Sequence, residues 1–358
     1  MLNLAKSNLN LLKFFNKSKN KKILIISGKK SFPREVLREV LNRNNIYIYL
    51  KKNKDPEFKE FQVLRKLFLK LNPDIILGIG GGSVLDLSKV LFASRNIKKS
   101  NDIFKKKLST LYKDKKEIVL LPTTAGSGAE ATNFSVMYLR KKKFSISYTI
   151  KKKKIFLISD LVINNPKKTK GPSATDTLCQ SVESILSINA NLRSFSYAKK
   201  SLNLFLRNYK NYFKSPNSYN SSQMQLASYY SGKAINISKT TGPHALSYYL
   251  STNHNVPHGY AVSIFLVKFL FFNYNFMGNN KILKKKFILI FKIFNVRNLK
   301  SLMKKIQEIF KILYNGKNIN NILKRVNKKK LIKSVNIQRL KNNPIEVKKS
   351  DLVKIVSS

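Results

Sequence analysis

The sequence predicts an α/β fold: an amino-terminal doubly wound, Rossmann-like domain with a parallel sheet, followed by a carboxyl-terminal domain built from helices. Three observations predict it. Between residues 23 and 121, short apolar runs alternate with segments of helical periodicity, the pattern of strand–helix–strand units. Beyond residue 165, strand signals largely stop and helical spacing takes over. Two glycine- and hydroxyl-rich segments directly follow strand-like runs, where a parallel sheet presents its carboxyl edge.

The elements follow in order. Residues 23–27 form an unbroken apolar run ending before Gly28, as expected of a strand buried on both faces. Residues 33–42 carry helical spacing, with Val36, Leu37, Val40 and Leu41 on one face. Residues 46–50 read as a second strand. Residues 57–71 read as a helix with the stripe Phe61, Leu64, Phe68 and Leu71. A third strand at 74–79, a helix at 84–92 and a fourth strand at 118–121 complete the alternation. Helical periodicity then occupies 176–188, 194–212, 223–237 and 259–272, with further Lys-rich helices from 280 onward. Pro166 and Gly171-Pro172 bracket a lysine-rich stretch, so the expected domains are 1–165 and 166–358.

A chain of 358 residues fits about two domains. Its hydrophobic fraction of 43% supplies real cores and excludes a wholly disordered chain. The single cysteine, Cys179, excludes an intrachain disulfide framework and a cysteine-rich zinc module. No run of 18 apolar residues occurs, so no membrane span is expected. The net charge of +53 comes from basic residues spread along the whole chain, such as Lys151–Lys154, together with abundant Asn, Ile, Phe and Tyr. AT-rich codons specify those residues. Composition therefore explains the charge more simply than a nucleic-acid footprint does, and no specific nucleic acid is expected. The basic segment from Met1 to Lys22 lacks the apolar core of a secretory signal, and a cytoplasmic location is expected.

Gly80-Gly81-Gly82-Ser83 lies between a strand and a helix. Side-chain-free residues let an anion approach the backbone, and the N–H groups of the following helix favour it. The spacing is neither GxGxxG nor a Walker loop, and a plain tight turn remains the alternative. The second segment, Pro122 to Glu130, brings Thr123, Thr124 and Ser127 to the end of another strand. Together the two point to a nucleotide or phosphate.

The three histidines, His244, His254 and His258, all fall within 15 residues. Asp176 and Gln180 are spaced i, i+4 on one helix face. Two histidines, an aspartate and a glutamine make an N/O donor set for a divalent metal. Satisfied core histidines and a capping aspartate are the alternative.

These blocks together resemble the iron-containing (group III) alcohol dehydrogenase family over nearly the whole chain. The matching segments are ILGIGGGSVLDLSK, LPTTAGSGAEAT, ATDTLCQSVES, GPHALSYYL and VPHGYAV. Within it, Ser27-Gly28-Lys29-Lys30-Ser31-Phe32, the segment Ala234 to Thr241, Gln180 and Arg339 to Pro344 resemble phosphonoacetaldehyde reductases. The resemblance implies a dehydroquinate synthase-like architecture. It implies NADH- or NADPH-dependent, metal-assisted reduction of phosphonoacetaldehyde to 2-hydroxyethylphosphonate. Asp176, His244 and His258 then match the ligands of Fe2+ or Zn2+. Gln180 stands where the family has a fourth, histidine ligand. Gly80, Gly81, Gly82, Ser83, Asp86, Thr123, Thr124 and Ser127 match cofactor contacts, and Asp86 with Lys89 completes a GGGSxxDxxK pattern. Gly28, where relatives often carry an aspartate for the adenine ribose, is followed by Lys29 and Lys30, which makes NADPH as plausible as NADH. Tyr248 and His254 are proton-relay candidates, and Lys239, Thr240 and Thr241 are phosphonate candidates. A homodimer is common in the family. The stretch 166–176 is shorter than in relatives. Another iron-type alcohol or polyol dehydrogenase, a dehydroquinate synthase-like lyase and a non-catalytic relative stay open.

Overall fold

The computed structural model describes residues 2–5, 9–105, 108–109, 115–140 and 142–357. Met1 and residues 6–8 of the basic amino-terminal segment lie outside them. The chain divides into two compact units: Met1–Thr124 with Ala129–Asn164, and Ala125–Gly128 with Asn165–Ser358.

The first unit contains β1 (Leu2–Ala5), α1 (Leu9–Lys17), β2 (Ile23–Gly28), α2 (Arg34–Leu41), β3 (Ile46–Lys51), α3 (Phe58–Leu71), β4 (Ile75–Gly80) and α4 (Gly82–Ala93). It continues with β5 (Leu108–Ser109), β6 (Glu117–Pro122), β7 (Phe134–Leu139), β8 (Lys142–Thr149), β9 (Lys153–Ile158) and α5 (Asp160–Ile163). Six strands form one parallel sheet in the order β1-β9-β6-β4-β2-β3. Alternate residues of each run face opposite sides. Ile23, Ile25, Ile75, Leu77, Val119 and Leu121 join Leu11, Phe15, Leu37 and Val40 in one core. Leu24, Ile26, Ile76, Ile118 and Leu120 join Phe61, Leu64 and Leu87 in the other. Both faces are thus apolar, which is why these strands are continuous hydrophobic runs rather than alternating ones. The chain leaves β2 first toward β3 and then toward β4 and β6, so the winding direction reverses between β2 and β4.

The structure adds elements that the apolar pattern did not announce. β1 pairs with β9, and α1 buries Leu11 and Phe15. A small three-stranded sheet, β5-β8-β7, takes one strand from before the second glycine-rich segment and two from after it. In β7 the inward residues are Ser135 and Met137, while Phe134, Val136 and Tyr138 are only half-buried. Ser135 is accommodated because its hydroxyl lies 2.7 Å from Tyr148 Oη and donates to the Asp86 carbonyl. A polar inward position conceals the two-residue period.

The second unit is helical: α6 (Lys167–Leu186), α7 (Leu192–Lys214), α8 (Ser218–Ser238), α9 (Gly242–Asn253), α10 (His258–Asn275), α11 (Lys281–Phe294) and α12 (Leu299–Tyr314), then short helices to the end. α6 begins nine residues before the expected start at 176 and runs through Pro172. The stretch 167–176 is therefore the first turns of one helix. Proline's fixed φ suits a helix, and the missing N–H removes one bond near the amino-terminal end. No described helix is long and apolar enough to cross a membrane.

Candidate metal and nucleotide sites

In the first unit, the carboxyl ends of β2, β4 and β6 lie side by side. Ser27 pairs with Ile79, and Gly80 pairs with Pro122. This edge includes the reversal between β2 and β4, where open α/β sheets take ligands. The glycines there have different duties. A Cβ on Gly80 would sit 2.6 Å from Val84 Cγ2, so Gly80 lets α4 close onto its strand. A Cβ on Gly81 would meet only Thr124, at 3.6 Å. Gly82 and Ser83, expected in a loop, form the first turn of α4, which has no acidic residue and no side-chain cap. That leaves a helix amino terminus suited to an anion. Lys29 and Lys30 follow β2 and are exposed.

Asp86 and Lys89 are committed to the protein. Lys89 Nζ lies 3.0 Å from Asp86 Oδ1 and donates to the carbonyls of Ala129 and Phe134 and to Thr132 Oγ1. Asp86 Oδ2 accepts from the Val136 N–H. The pair anchors the end of the second glycine-rich segment to α4. Glu130, in the same region, is buried, and burial pushes its carboxyl up to about 7.

In the second unit, Asp176 on α6, His244 on α9 and His258 at the start of α10 meet. One donor atom from each lies within 4.8 Å of the others. His244 Nε2 is 3.4 Å from Asp176 Oδ1, and the two imidazoles are 5.3 Å apart edge to face. Both Asp176 Oδ1 and His244 Nε2 are buried without a hydrogen-bond partner. Buried polar atoms are nearly always satisfied, so two orphaned donors pointing at one spot suit a cation. The hard-to-borderline O/N₂ set fits Fe2+ or Zn2+.

Glu183, two turns along α6 from Asp176, was not among the expected residues. Its Oε2 is 2.5 Å from His244 Nδ1, and its Oε1 accepts from the N–H groups of Thr241 and His244 and from the Thr241 hydroxyl. This directs Nε2 toward Asp176. Burial opposes the charged imidazole, but Glu183 and Asp176 outweigh it and raise His244 to about 10. The available signal was positional: 176, 180 and 183 share one helical face.

Gln180 is buried, with Nε2 3.1 Å from Asp176 Oδ2. Tyr248 stacks on His258 at 6.2 Å, which keeps it in the group. His254 ends α9 and lies against Tyr249, so it is not in the cluster of three. Thr240 and Thr241 are buried next to His244 in sequence. Lys239, half-buried, takes φ 63°, ψ 178°, a conformation costly for any side chain. Asn342 Nδ2 donates to the carbonyls on either side of it, Ser238 and Thr240. Burial, and then Arg339, lower Lys239 to about 8. Ser127 belongs to the second unit, and its carbonyl faces Gln180. Cys179 is buried and its thiol is pushed well up, which leaves it unreactive. A cavity of about 1120 Å³ lies elsewhere, lined by Val267, Phe271, Phe310 and Tyr314 among others, and none of these site residues lines it.

Family models match both parts of the chain. The family model for iron-containing alcohol dehydrogenase matches residues 5–166, and that for the carboxyl-terminal part of the Fe-containing alcohol dehydrogenase family matches 172–358. The chain is 31% identical over 213 residues to a 4-hydroxybutyrate dehydrogenase of Clostridium kluyveri, covering 58% of this chain and 57% of that one. It is 26% identical over 216 residues to a phosphonoacetaldehyde reductase of Streptomyces viridochromogenes, covering 57% and 54%. The chain thus spans about half the length of these curated relatives. A crystal structure of sulfoacetaldehyde reductase from Bifidobacterium kashiwanohense in complex with NAD+ matches with a TM-score of 0.86 at 21% identity, covering 100% and 96%. At that identity the likeness is one of fold.

Proposed function

Because the chain belongs to the iron-containing alcohol dehydrogenase family, we propose that it reduces a short aldehyde bearing a terminal anion, using NADH or NADPH. Phosphonoacetaldehyde, giving 2-hydroxyethylphosphonate, is the first choice. The observation that carries the enzymatic reading is the pair of orphaned donors, Asp176 Oδ1 and His244 Nε2, facing one another beside His258. A divalent ion held by Asp176, His244 and His258 would supply Lewis-acid polarisation of the carbonyl, while the nicotinamide carries the hydride. The chain's own residues do the rest. Glu183 orients His244, and Tyr248, stacked on His258, is the proton-relay candidate that stays near the ligands.

The anion preference is supported by two observations. The curated relatives named above are designated for 4-hydroxybutyrate and phosphonoacetaldehyde, each with an anionic group at one end. Lys239, held in a strained conformation between Ser238 and Thr240, shares its surroundings with Arg339. Lys239, whose Nζ donates to the Asn236 carbonyl, and Arg339 give this segment two cations that suit an oxyanion. Lys29 and Lys30 beyond β2 favour the 2′-phosphate of NADPH, and the chain would act in the cytoplasm as a homodimer.

The test is oxidation of NADPH and NADH by metal-reconstituted protein with phosphonoacetaldehyde, sulfoacetaldehyde, succinic semialdehyde and neutral aldehydes of equal length. Preference for the anionic aldehydes, lost in K239M, supports the reading. Equal turnover of neutral aldehydes leaves an iron-type alcohol or polyol dehydrogenase. Absence of turnover with any metal leaves a non-catalytic relative.

A further inference from the structure

Gln180 lies one turn after Asp176 on α6, where the resemblance puts a fourth metal ligand. Its side-chain contacts point elsewhere. Nε2 is 3.1 Å from Asp176 Oδ2 and 3.4 Å from the Ser127 carbonyl, while Oε1 is 3.0 Å from Ser231 Oγ on α8. A carboxylate and a carbonyl only accept, so the amide end facing them must be the NH2 group. Reversing the amide would set its oxygen against two acceptors. The orientation is therefore fixed by chemistry, and Oε1 is turned toward Ser231, which also lies 2.8 Å from the Ser228 carbonyl.

This geometry points to a specific role. We infer that Gln180 is a positioning residue that fixes Asp176, and that the metal is held by three protein groups, Asp176, His244 and His258. The inference rests on the metal reading above. The bond from Nε2 engages Asp176 Oδ2 and leaves Oδ1, which has no hydrogen-bond partner, directed at His244 Nε2. Gln180 thus does for Asp176 what Glu183 does for His244: each ligand is held through the atom it does not offer to the ion. Replacing imidazole by an amide that turns away leaves one more coordination position for exchangeable ligands than four protein donors would.

The test is Co2+ titration of the metal-free full chain, wild type against Q180L, with chelator competition for affinity and the visible absorption of Co2+ for coordination. Leucine keeps the bulk and removes both the donor and the acceptor. The expected result is an unchanged Co2+ spectrum with affinity reduced roughly 10- to 100-fold, the usual effect of losing a residue that supports a ligand. A spectrum altered in Q180L would show that Gln180 coordinates and overturn the inference alone. Wild-type protein that binds no Co2+ would overturn the metal reading and the inference together. Should Q180L not fold, a crystal structure of the Co2+-loaded wild type decides. Oε1 on Ser231 supports the inference, and Oε1 at a bonding distance of about 2.0–2.2 Å from the ion overturns it.

Discussion

Glu183 grips His244 twice: its Oε2 lies 2.5 Å from the ring Nδ1, and its Oε1 takes the backbone N–H of the same residue. Ring and backbone are both fixed by one carboxylate. That carboxylate also holds the imidazolium, with its pKa near 10, so a metal has to displace a proton from His244. Metal affinity should therefore rise with pH, by about tenfold per unit while the pH stays below the pKa of His244. E183Q should bind metal roughly tenfold less tightly at pH 9 and show a shallower pH dependence, because the amide no longer stabilises the proton. Chelator competition across pH 6–9 measures both. An unchanged slope would remove Glu183 from the site.

Gly259 sets the other ligand. A Cβ there would lie 1.9 Å from the Pro172 carbonyl oxygen and 2.9 Å from the Asp176 N–H nitrogen. Only glycine lets α10 cross α6 at the turn that carries Asp176, and His258 is the preceding residue. G259A should push the helices apart, costing roughly 1–3 kcal/mol as overpacking does and weakening metal binding with it. Gly278 is the control: a Cβ there meets nothing within 4 Å, so G278A should cost only the strain of φ 48°, about 1 kcal/mol, and leave metal binding unchanged. Thermal unfolding and metal titration of the two variants read out the difference.

The same residues explain what the sequence revealed and what it hid. The parallel strands were legible because burial on both faces makes them continuous apolar runs, as at residues 75–79. Scarce, clustered histidines mark the region, the family resemblance singles out Asp176, His244 and His258 from His254, and the structure brings those three to one spot. Glu183 was harder to see: its role depends on α9 returning over α6, which no local spacing encodes. Strand β7 escaped because one of its two inward positions is Ser135, satisfied by Tyr148, rather than an apolar residue. Gly82 and Ser83 read as loop in the sequence although they already turn as helix, since glycine carries no helical signal of its own.

Asp86 separates two roles that residue type cannot. As a cofactor contact, its loss would raise the dissociation constant for NAD(P)H and leave stability alone. Its geometry predicts the reverse. Lys89 is fully buried; burial lowers its pKa and Asp86 opposes that. D86N removes the neutralising charge and leaves the ammonium with neutral acceptors. Breaking a buried pair in this way costs about 3–5 kcal/mol. Urea unfolding of D86N should show that loss, and cofactor affinity, measured by fluorescence titration on the protein that remains folded, should change little.

Glu130 gives the fold a pH dependence with a definite sign. Burial raises its carboxyl from an ordinary 4.5 to about 7, against the lowering effect of its own backbone N–H, Lys89 and Lys153. In the unfolded chain the group ionises near its ordinary value; in the folded protein it keeps its proton until about pH 7. Across that window the folded state binds more protons, so stability is greatest below the unfolded pKa and falls as pH rises toward the folded one. The contribution amounts to about 3 kcal/mol for a shift of this size and levels off above pH 7. E130Q keeps the shape and cannot ionise. Its melting temperature should lack the part of the decline between pH 4.5 and 7 that the wild type shows, and the two curves should run parallel above pH 8. Curves parallel across the whole range would mean that Glu130 ionises at its ordinary pKa inside the folded protein.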